Sequence, residues 1–377
     1  MAKPSSPKLS TPAEIGLVLG QGAAPLWGMS SGERLRRSLT RAGVSEMVSE
    51  LPQGGEARVL VVRADWVFDQ ALIDALARRL GTVLVGPDGE AVAANLTLDE
   101  ARAFATGALP EDAARIGPDE LVPAYDSKLR KLMPAYLMPL TAQTAPAIER
   151  RMFDGSYKGV TDIVTKYVWP RPAQVVTKLC ARLKVSPNQV TVVSAVLTVL
   201  AFWMFWRGQF GWGLAAAWGM TFLDTVDGKL ARVTLTASPW GNVLDHGLDL
   251  IHPPFWWWAW IVGLEASGYS VGASGLTLLI AAGGYVLLRA QEGLFIGLFG
   301  MEMHIWRRFD SRFRLVTSRR NPNLLLLTAG VLAGRPDLGM AAVAMWTLIS
   351  LAIHSVRILQ AMLTARPLGS WMQANVG

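Results

Sequence analysis

Four aspartates define the chemistry available to this chain. They stand in D-T-V-D-G-K-L-A-R at Asp224 to Arg232 and, eight residues on, in G-N-V-L-D-H-G-L-D at Gly241 to Asp249. Asp224 and Asp227 are three apart and Asp245 and Asp249 four apart, so on two helices each pair shares a face. Two such pairs facing each other form an all-oxygen cage suited to a hard divalent cation such as Mg²⁺. The run lies among hydrophobic segments. An Asp at the centre of a bilayer costs about 2.5–3.5 kcal/mol on insertion scales, so four cost roughly 10 kcal/mol. Stability does not explain carrying that cost; a site does.

The whole pattern, D-x2-D-G-x2-A-R-x8-G-x3-D-x3-D, resembles the signature of the CDP-alcohol phosphotransferases. Every fixed position is filled: Asp224, Asp227, Gly228, Ala231, Arg232, Gly241, Asp245 and Asp249. The lead-in S-P-N-Q-V-T (Ser186 to Thr191) and the hydrophobic segments that follow extend the resemblance over about residues 155–365. It implies an enzyme that moves a phosphoalcohol group from a CDP-linked donor to a hydroxyl acceptor and releases CMP. It also implies two Mg²⁺ or Mn²⁺ ions, held about 4 Å apart to clamp the pyrophosphate. Asp224, Asp227 and Asp245 are then mainly metal ligands. Asp249 is both a ligand and the general base, because a carboxylate among other acids has its pKa pushed up.

The smaller positions have physical reasons as well. Gly228, Gly241 and Ala231 let the backbone approach a nucleotide closely, and Arg232 can pair with a phosphate in bidentate fashion. The resemblance maps Asn188, Thr191 and Ser238 to donor binding. Asn188 and Thr191 equally suit a helix cap, and Ser238 a plain loop. The donor expected is CDP-diacylglycerol, for phospholipid biosynthesis, with a soluble CDP-alcohol such as CDP-inositol as the alternative. An ion-coupled transporter would show internal repeats and interrupted helices in matched halves, and neither is visible.

For a phosphorylated acceptor, the loop F-D-S-R-F-R-L-V-T-S-R-R-N-P offers Arg319 and Arg320 as phosphate grips. A positive-inside topology also requires arginines there. Arg289 and Glu292, inside an apolar segment, either form an ion pair or line the acceptor pocket. His246 and His252 beside the motif read as satisfied polar residues.

Composition shows what must position these groups. Of 15 Trp, only Trp27 and Trp66 precede residue 150, and the second half carries the long apolar runs. The net charge of +7 is concentrated in short Arg-rich stretches between them. That distribution suits anionic lipids and phosphorylated substrates, and with no docking module in sight it excludes nucleic acid. A single cysteine, Cys180, excludes an intramolecular disulfide and a thiolate zinc site. Six apolar segments, about 188–206, 211–230, 241–264, 275–299, 322–334 and 338–361, predict a six-helix transmembrane bundle, the fifth segment being short for a span of about 20 residues. Lys229, Arg232 and the 307–320 arginines lie on one side, with only Arg207 and Arg335 opposite. Both termini are therefore expected in the cytosol, in a multi-pass protein of the inner or plasma membrane. Trp256, Trp257, Trp258 and Trp260 read as lipid-facing or interfacial anchors, and a homodimer is the expected assembly.

Ahead of the bundle the expected order is a disordered tail (1–12), an α/β domain (13–110), a helical connector (111–155) and a basic juxtamembrane amphipathic segment (156–186) broken at Pro170-Arg171-Pro172. The bundle then runs over 187–365, with a cytosolic tail at 366–377. Strands alternating with helices predict a mostly parallel, Rossmann-type sheet. The strand–Gly-loop–helix opening at Gly20 and Gly22 loosely resembles the nucleotidyltransferase-like fold. The loop L-G-Q-G-A-A-P-L-W-G-M lacks the Arg and Lys that hold a triphosphate in active members, which predicts a degenerate domain.

Overall fold

The structure, a computed structural model, describes residues 11–126, 129–237, 239–364 and 368–373, without the side chains of 126, 239–246, 248 and 249. The chain divides into two compact units. The first takes in the chain up to Asp126, Leu132–Ser156 and Val233–Leu235, and the second takes the rest.

The first unit is an α/β domain built from β1 (Ile15–Leu19), α1 (Ser31–Arg41), β2 (Glu46–Val48), β3 (Arg58–Arg63), β4 (Trp66–Phe68), α2 (Gln70–Leu76), β5 (Thr82–Val85), β6 (Ala91–Thr97), α3 (Leu98–Ala105) and β7 (Ala114–Ile116). The short α4 (Pro118–Leu121) and α5 (Ala145–Gly155) follow. The six-stranded sheet has the order β2-β1-β3-β6-β5-β7. Alternate residues of β3 serve opposite faces, with Leu60 and Val62 in one core and Val59 and Val61 in the other.

The sheet is mostly parallel, as expected, with a single reversed strand. β6 runs antiparallel to both β3 and β5. The reason is local. Gly86 to Glu90 is too short to cross over the sheet, and a tight connection can join only antiparallel strands. Gly89, with φ 78°, makes the turn, and Gly86 N–H···O=C bonding to Glu90 closes it.

The second unit is helical. Two amphipathic pieces, α6 (Ile163–Tyr167) and α7 (Pro170–Arg182), meet at the expected proline break, with Pro170 at the first helical position. Then come α8 (Pro187–Trp206), α9 (Phe210–Val233), α10 (Pro239–Ala266) and α11 (Ser274–Leu278), which passes through a π turn into α12 (Gly284–Phe299). The short α13 (Arg308–Phe313), then α14 (Arg320–Leu332) and α15 (Pro336–Met362), complete the unit. Among the described residues, three helical stretches are long and apolar enough to cross a membrane: Pro187–Trp206, Ser274–Phe299 and Pro336–Met362. At 13 residues α14 is only about 20 Å long, against roughly 30 Å of hydrocarbon.

The tryptophan run corrects one expectation. Trp256, Trp257 and Trp260 are fully buried at the heart of this unit, and only Trp258 is exposed. Trp256 donates to the Thr198 carbonyl at 3.0 Å and Trp260 to that of Pro336 at 3.2 Å, with Phe205 packed on both rings. Helical spacing puts positions 256, 257 and 260 on one face, and here that face is the core. Gly263 lets α8 and α10 touch: a Cβ there would meet the Phe205 carbonyl oxygen at 1.9 Å.

Candidate functional site

The site grows from α9. Asp224 and Asp227 lie one turn apart in its last three turns, and Asp227 is 5 % exposed. A buried carboxylate needs donors. Thr191 supplies one, its hydroxyl donating to Asp227 Oδ2 at 2.6 Å. Thr191 is carried on the second turn of α8, whose start is held by a capping box. Ser186 Oγ accepts from the Gln189 N–H at 3.3 Å, and the Gln189 side chain accepts from the Ser186 N–H at 2.8 Å. The cap is therefore Ser186. Thr191 faces the motif instead, while Asn188 is exposed.

At Gly228 a Cβ would come within 3.1 Å of the Arg232 guanidinium, the movable end of a long side chain. Ala231 and Arg232 are half-buried at the end of the same helix. Lys229 is buried, with Nζ 3.3 Å from the centre of the Tyr157 ring. Asp245 and Asp249 fall in the first three turns of α10, as the four-residue spacing requires, and Gly241 in its first turn. The side chains of Asp245 and Asp249 and the whole of Ser238 lie outside the described residues.

The three arginines assigned to the acceptor divide. Arg320 lies against the motif, its Nη2 donating to Asp224 Oδ2 at 2.6 Å. Arg319 pairs with Glu292, and Arg289 reaches the same carboxylate at 2.9 Å. Neighbouring side chains at the start of α14 thus serve two different acids. The segment before them is fixed by a buried polar network. The Ser318 N–H donates to Ser350 Oγ at 3.1 Å and its hydroxyl to Asn323 at 3.0 Å, with Thr347 Oγ1 at 2.8 Å. Asn321 donates to Asp162 at 3.0 Å. Burial works against ionising Asp162, but Arg314 and hydrogen bonds from Thr165 and Asn321 outweigh it and lower its pKa.

Sequence reasoning missed what surrounds Glu292. His304 Nε2 lies 3.0 Å from Glu292, and His354 completes a trio whose donor atoms all fall within 4.8 Å of one another. Burial lowers the His304 pKa to about 3 despite the Glu292 contact, so the ring is neutral at physiological pH. Both ring nitrogens of His354, itself 1 % exposed, lack a hydrogen-bond partner, as does the buried Nη1 of Arg314. Burial lowers the Arg314 pKa to about 9, which leaves it charged at neutral pH. The trio has the donors of a cation site, but Arg289, Arg314 and Arg319 crowd it with positive charge. The surplus favours an anion. A histidine in the apolar run of α15 was the available signal.

In the first unit the Gly-rich loop is pinned to α5. Trp27, buried at φ 51°, donates its backbone N–H to Glu149 at 2.9 Å and stacks on Phe153. The Asp65 carboxylate, just past the end of β3, takes Arg63 at 2.5 and 3.0 Å.

Residues 184–301 match the CDP-alcohol phosphatidyltransferase family. The chain is 32 % identical over 161 residues to a bifunctional IPC transferase and DIPP synthase of Rubrobacter xylanophilus, covering 42 % of this chain and 33 % of the relative. It is 38 % identical over 80 residues to an archaetidylinositol phosphate synthase of Pyrococcus horikoshii (21 % and 42 %). Against a phosphatidylinositol phosphate synthase of Corynebacterium glutamicum it is 33 % identical over 120 residues (30 % and 55 %). The chain thus spans between a third and about half of the length of these relatives.

Proposed function

We propose, from the match of residues 184–301 to the CDP-alcohol phosphatidyltransferase family, that the chain is an integral membrane enzyme transferring a phosphatidyl group from CDP-diacylglycerol to a hydroxyl acceptor, with release of CMP. The observation that carries the reading is the Asp224–Asp227 pair, one turn apart on α9 and buttressed by Thr191, continuing in sequence into Asp245 and Asp249.

The donor set fits a divalent ion. Asp224 and Asp227 offer only carboxylate oxygens, the preference of Mg²⁺ or Mn²⁺. Two ions bound by the four aspartates would supply the positive charge that a pyrophosphate and its leaving CMP need. The rest falls to the chain. Thr191 holds the Asp227 carboxylate in orientation, and Arg232 offers a planar fork to a phosphate, with Asn188, Gly228, Ala231, Ser238 and Gly241 around the nucleotide. The acceptor oxygen bonds to the donor phosphorus as the bond from that phosphorus to the CMP oxygen breaks. The acceptor's proton passes to the Asp249 carboxylate.

The acceptor is a phosphorylated polyol. Arg289, Arg314 and Arg319 outnumber Glu292, and Arg314 and His354 have buried nitrogens with no partner. Two relatives are named as synthases of inositol phosphate lipids, which agrees with such an acceptor. The six helical segments α8, α9, α10, α11–α12, α14 and α15 form the membrane bundle of a homodimer. The arginine-rich ends, both termini and the α/β domain face the cytosol, and α7 lies in the interface with its exposed Val175 and Leu179. The α/β domain is a degenerate nucleotidyltransferase-like scaffold.

A second reading keeps the fold and takes a soluble CDP-alcohol such as CDP-inositol as donor. The likeness to an IPC transferase and DIPP synthase favours it. The test is CMP release by the purified full chain in detergent, with CDP-diacylglycerol and CDP-inositol as alternative donors and inositol phosphate as acceptor. Metal-dependent release with CDP-diacylglycerol supports the first reading. Release with CDP-inositol alone transfers the conclusion to the second, and full turnover in excess EDTA sinks both.

A further inference from the structure

Arg319 and Arg320 stand at the wrong end of a helix. They are the cap and first residue of α14, where the exposed N–H groups and the helix dipole favour anions. The buried network around Ser318, Asn321 and Asn323 holds them there, so their placement is not slack at a helix end. Each guanidinium has drawn a carboxylate from another helix: Glu292 on α12 for Arg319 and Asp224 on α9 for Arg320. Arg320 therefore sits on a residue that the metal reading needs as a ligand. Its side chain is 15 % exposed and that of Asp224 19 %, so water screens the pair only partly.

We propose that Arg320 is a built-in counter-ion of the metal cage: it neutralises Asp224 while the cage is empty and is released towards the donor's phosphate when a divalent ion takes that carboxylate. This rests on the reading of Asp224 as a metal ligand. Electrostatics favours the exchange, because a guanidinium and a divalent cation on one carboxylate repel each other. Once displaced, the guanidinium has the fork geometry that phosphate oxygens accept.

The consequence is a pair of opposite effects that a merely structural arginine would not give. In Arg320→Gln the cage loses its resident cation, so Mn²⁺ should bind about tenfold more tightly, a change of about 1.4 kcal/mol. Turnover should nevertheless fall about 100-fold, through loss of a charged donor to phosphate. Arg320→Lys keeps the charge but not the fork, so Mn²⁺ affinity should stay near wild type while turnover still falls.

The experiment is a Mn²⁺ titration of the full-length protein in detergent, followed by electron paramagnetic resonance without substrate, beside CMP release on the same samples. Asp224→Asn is the control. Tighter Mn²⁺ binding in Arg320→Gln with depressed turnover supports the proposal. Unchanged or weaker Mn²⁺ binding in that variant, with saturable wild-type binding that Asp224→Asn weakens, overturns the proposal alone. Wild-type binding that Asp224→Asn leaves untouched, or no saturable binding at all, overturns both the metal reading and this one. An Arg320→Gln sample that loses its thermal transition assigns Arg320 a structural role and likewise overturns the proposal, unless Arg320→Lys folds and keeps wild-type Mn²⁺ affinity with reduced turnover.

Discussion

Replacing Thr191 by valine removes one oxygen and leaves the shape nearly unchanged. That oxygen donates at 2.6 Å to a carboxylate only 5 % exposed. A hydrogen bond to a charged group contributes about 1.5–3 kcal/mol. Part of the loss would appear as a mis-set Asp227 rotamer, because the hydroxyl both stabilises the charge and fixes its direction. Spent on metal and donor binding, it corresponds to a roughly 10- to 100-fold fall in kcat/KM. The Mg²⁺ concentration for half-maximal rate should rise with it. The assay is CMP release across a Mg²⁺ series for wild type, Thr191→Val and Thr191→Ser. Serine keeps the hydroxyl and should recover most of the loss. Should valine run at the wild-type rate with unchanged Mg²⁺ dependence, Thr191 would do no more than pack, and the coupling of α8 to the motif would be refuted.

Asp249→Asn and Asp227→Asn should fail differently. The first loses turnover by roughly 10²–10⁴ with donor affinity largely kept, as for a lost general base; the second loses donor affinity and recovers part of it with added Mg²⁺, and equal losses of affinity in a donor-binding titration would reassign Asp249 to metal binding. Acid should destabilise the second unit below neutrality. His304 is held near pKa 3 by burial against an ordinary 6.5, so the unfolded chain takes up a proton that the folded chain refuses, and stability is lost as pH falls from 6.5. One such group is worth about 2 kcal/mol at pH 5, and thermal unfolding in detergent at pH 7 and pH 5, beside His304→Asn, checks whether that slope belongs to His304. The full chain given CTP, Mg²⁺ and phosphorylated alcohols should release no pyrophosphate, since the Gly-rich loop carries no cation, its Trp27 is tied to Glu149, and Arg63 engages Asp65; release with any alcohol would overturn the degenerate reading of that domain.

What could be read from the residues alone was local or rested on fixed spacing. The four aspartates, the small residues between them and the proline break before α7 all follow from helical periodicity and the cost of charge in apolar surroundings. The alternation of strands and helices marked an α/β domain for the same reason. Tertiary structure decided whatever depends on which neighbour fills a face. Periodicity put three tryptophans on one side of α10, but only packing against Phe205 and the Thr198 carbonyl made that side the core. A strand's direction depends on how its ends connect in space, so β6 proved antiparallel. Asn188 and Thr191 were equal candidates for a cap until Ser186 took that place and Thr191 turned to Asp227. Arg319 and Arg320 are adjacent in sequence and equivalent in chemistry, yet the start of α14 sends one to Glu292 and the other to Asp224. Ion pairs between helices far apart in the chain have no period, and only the folded packing that brings α9, α12 and α14 together determines them.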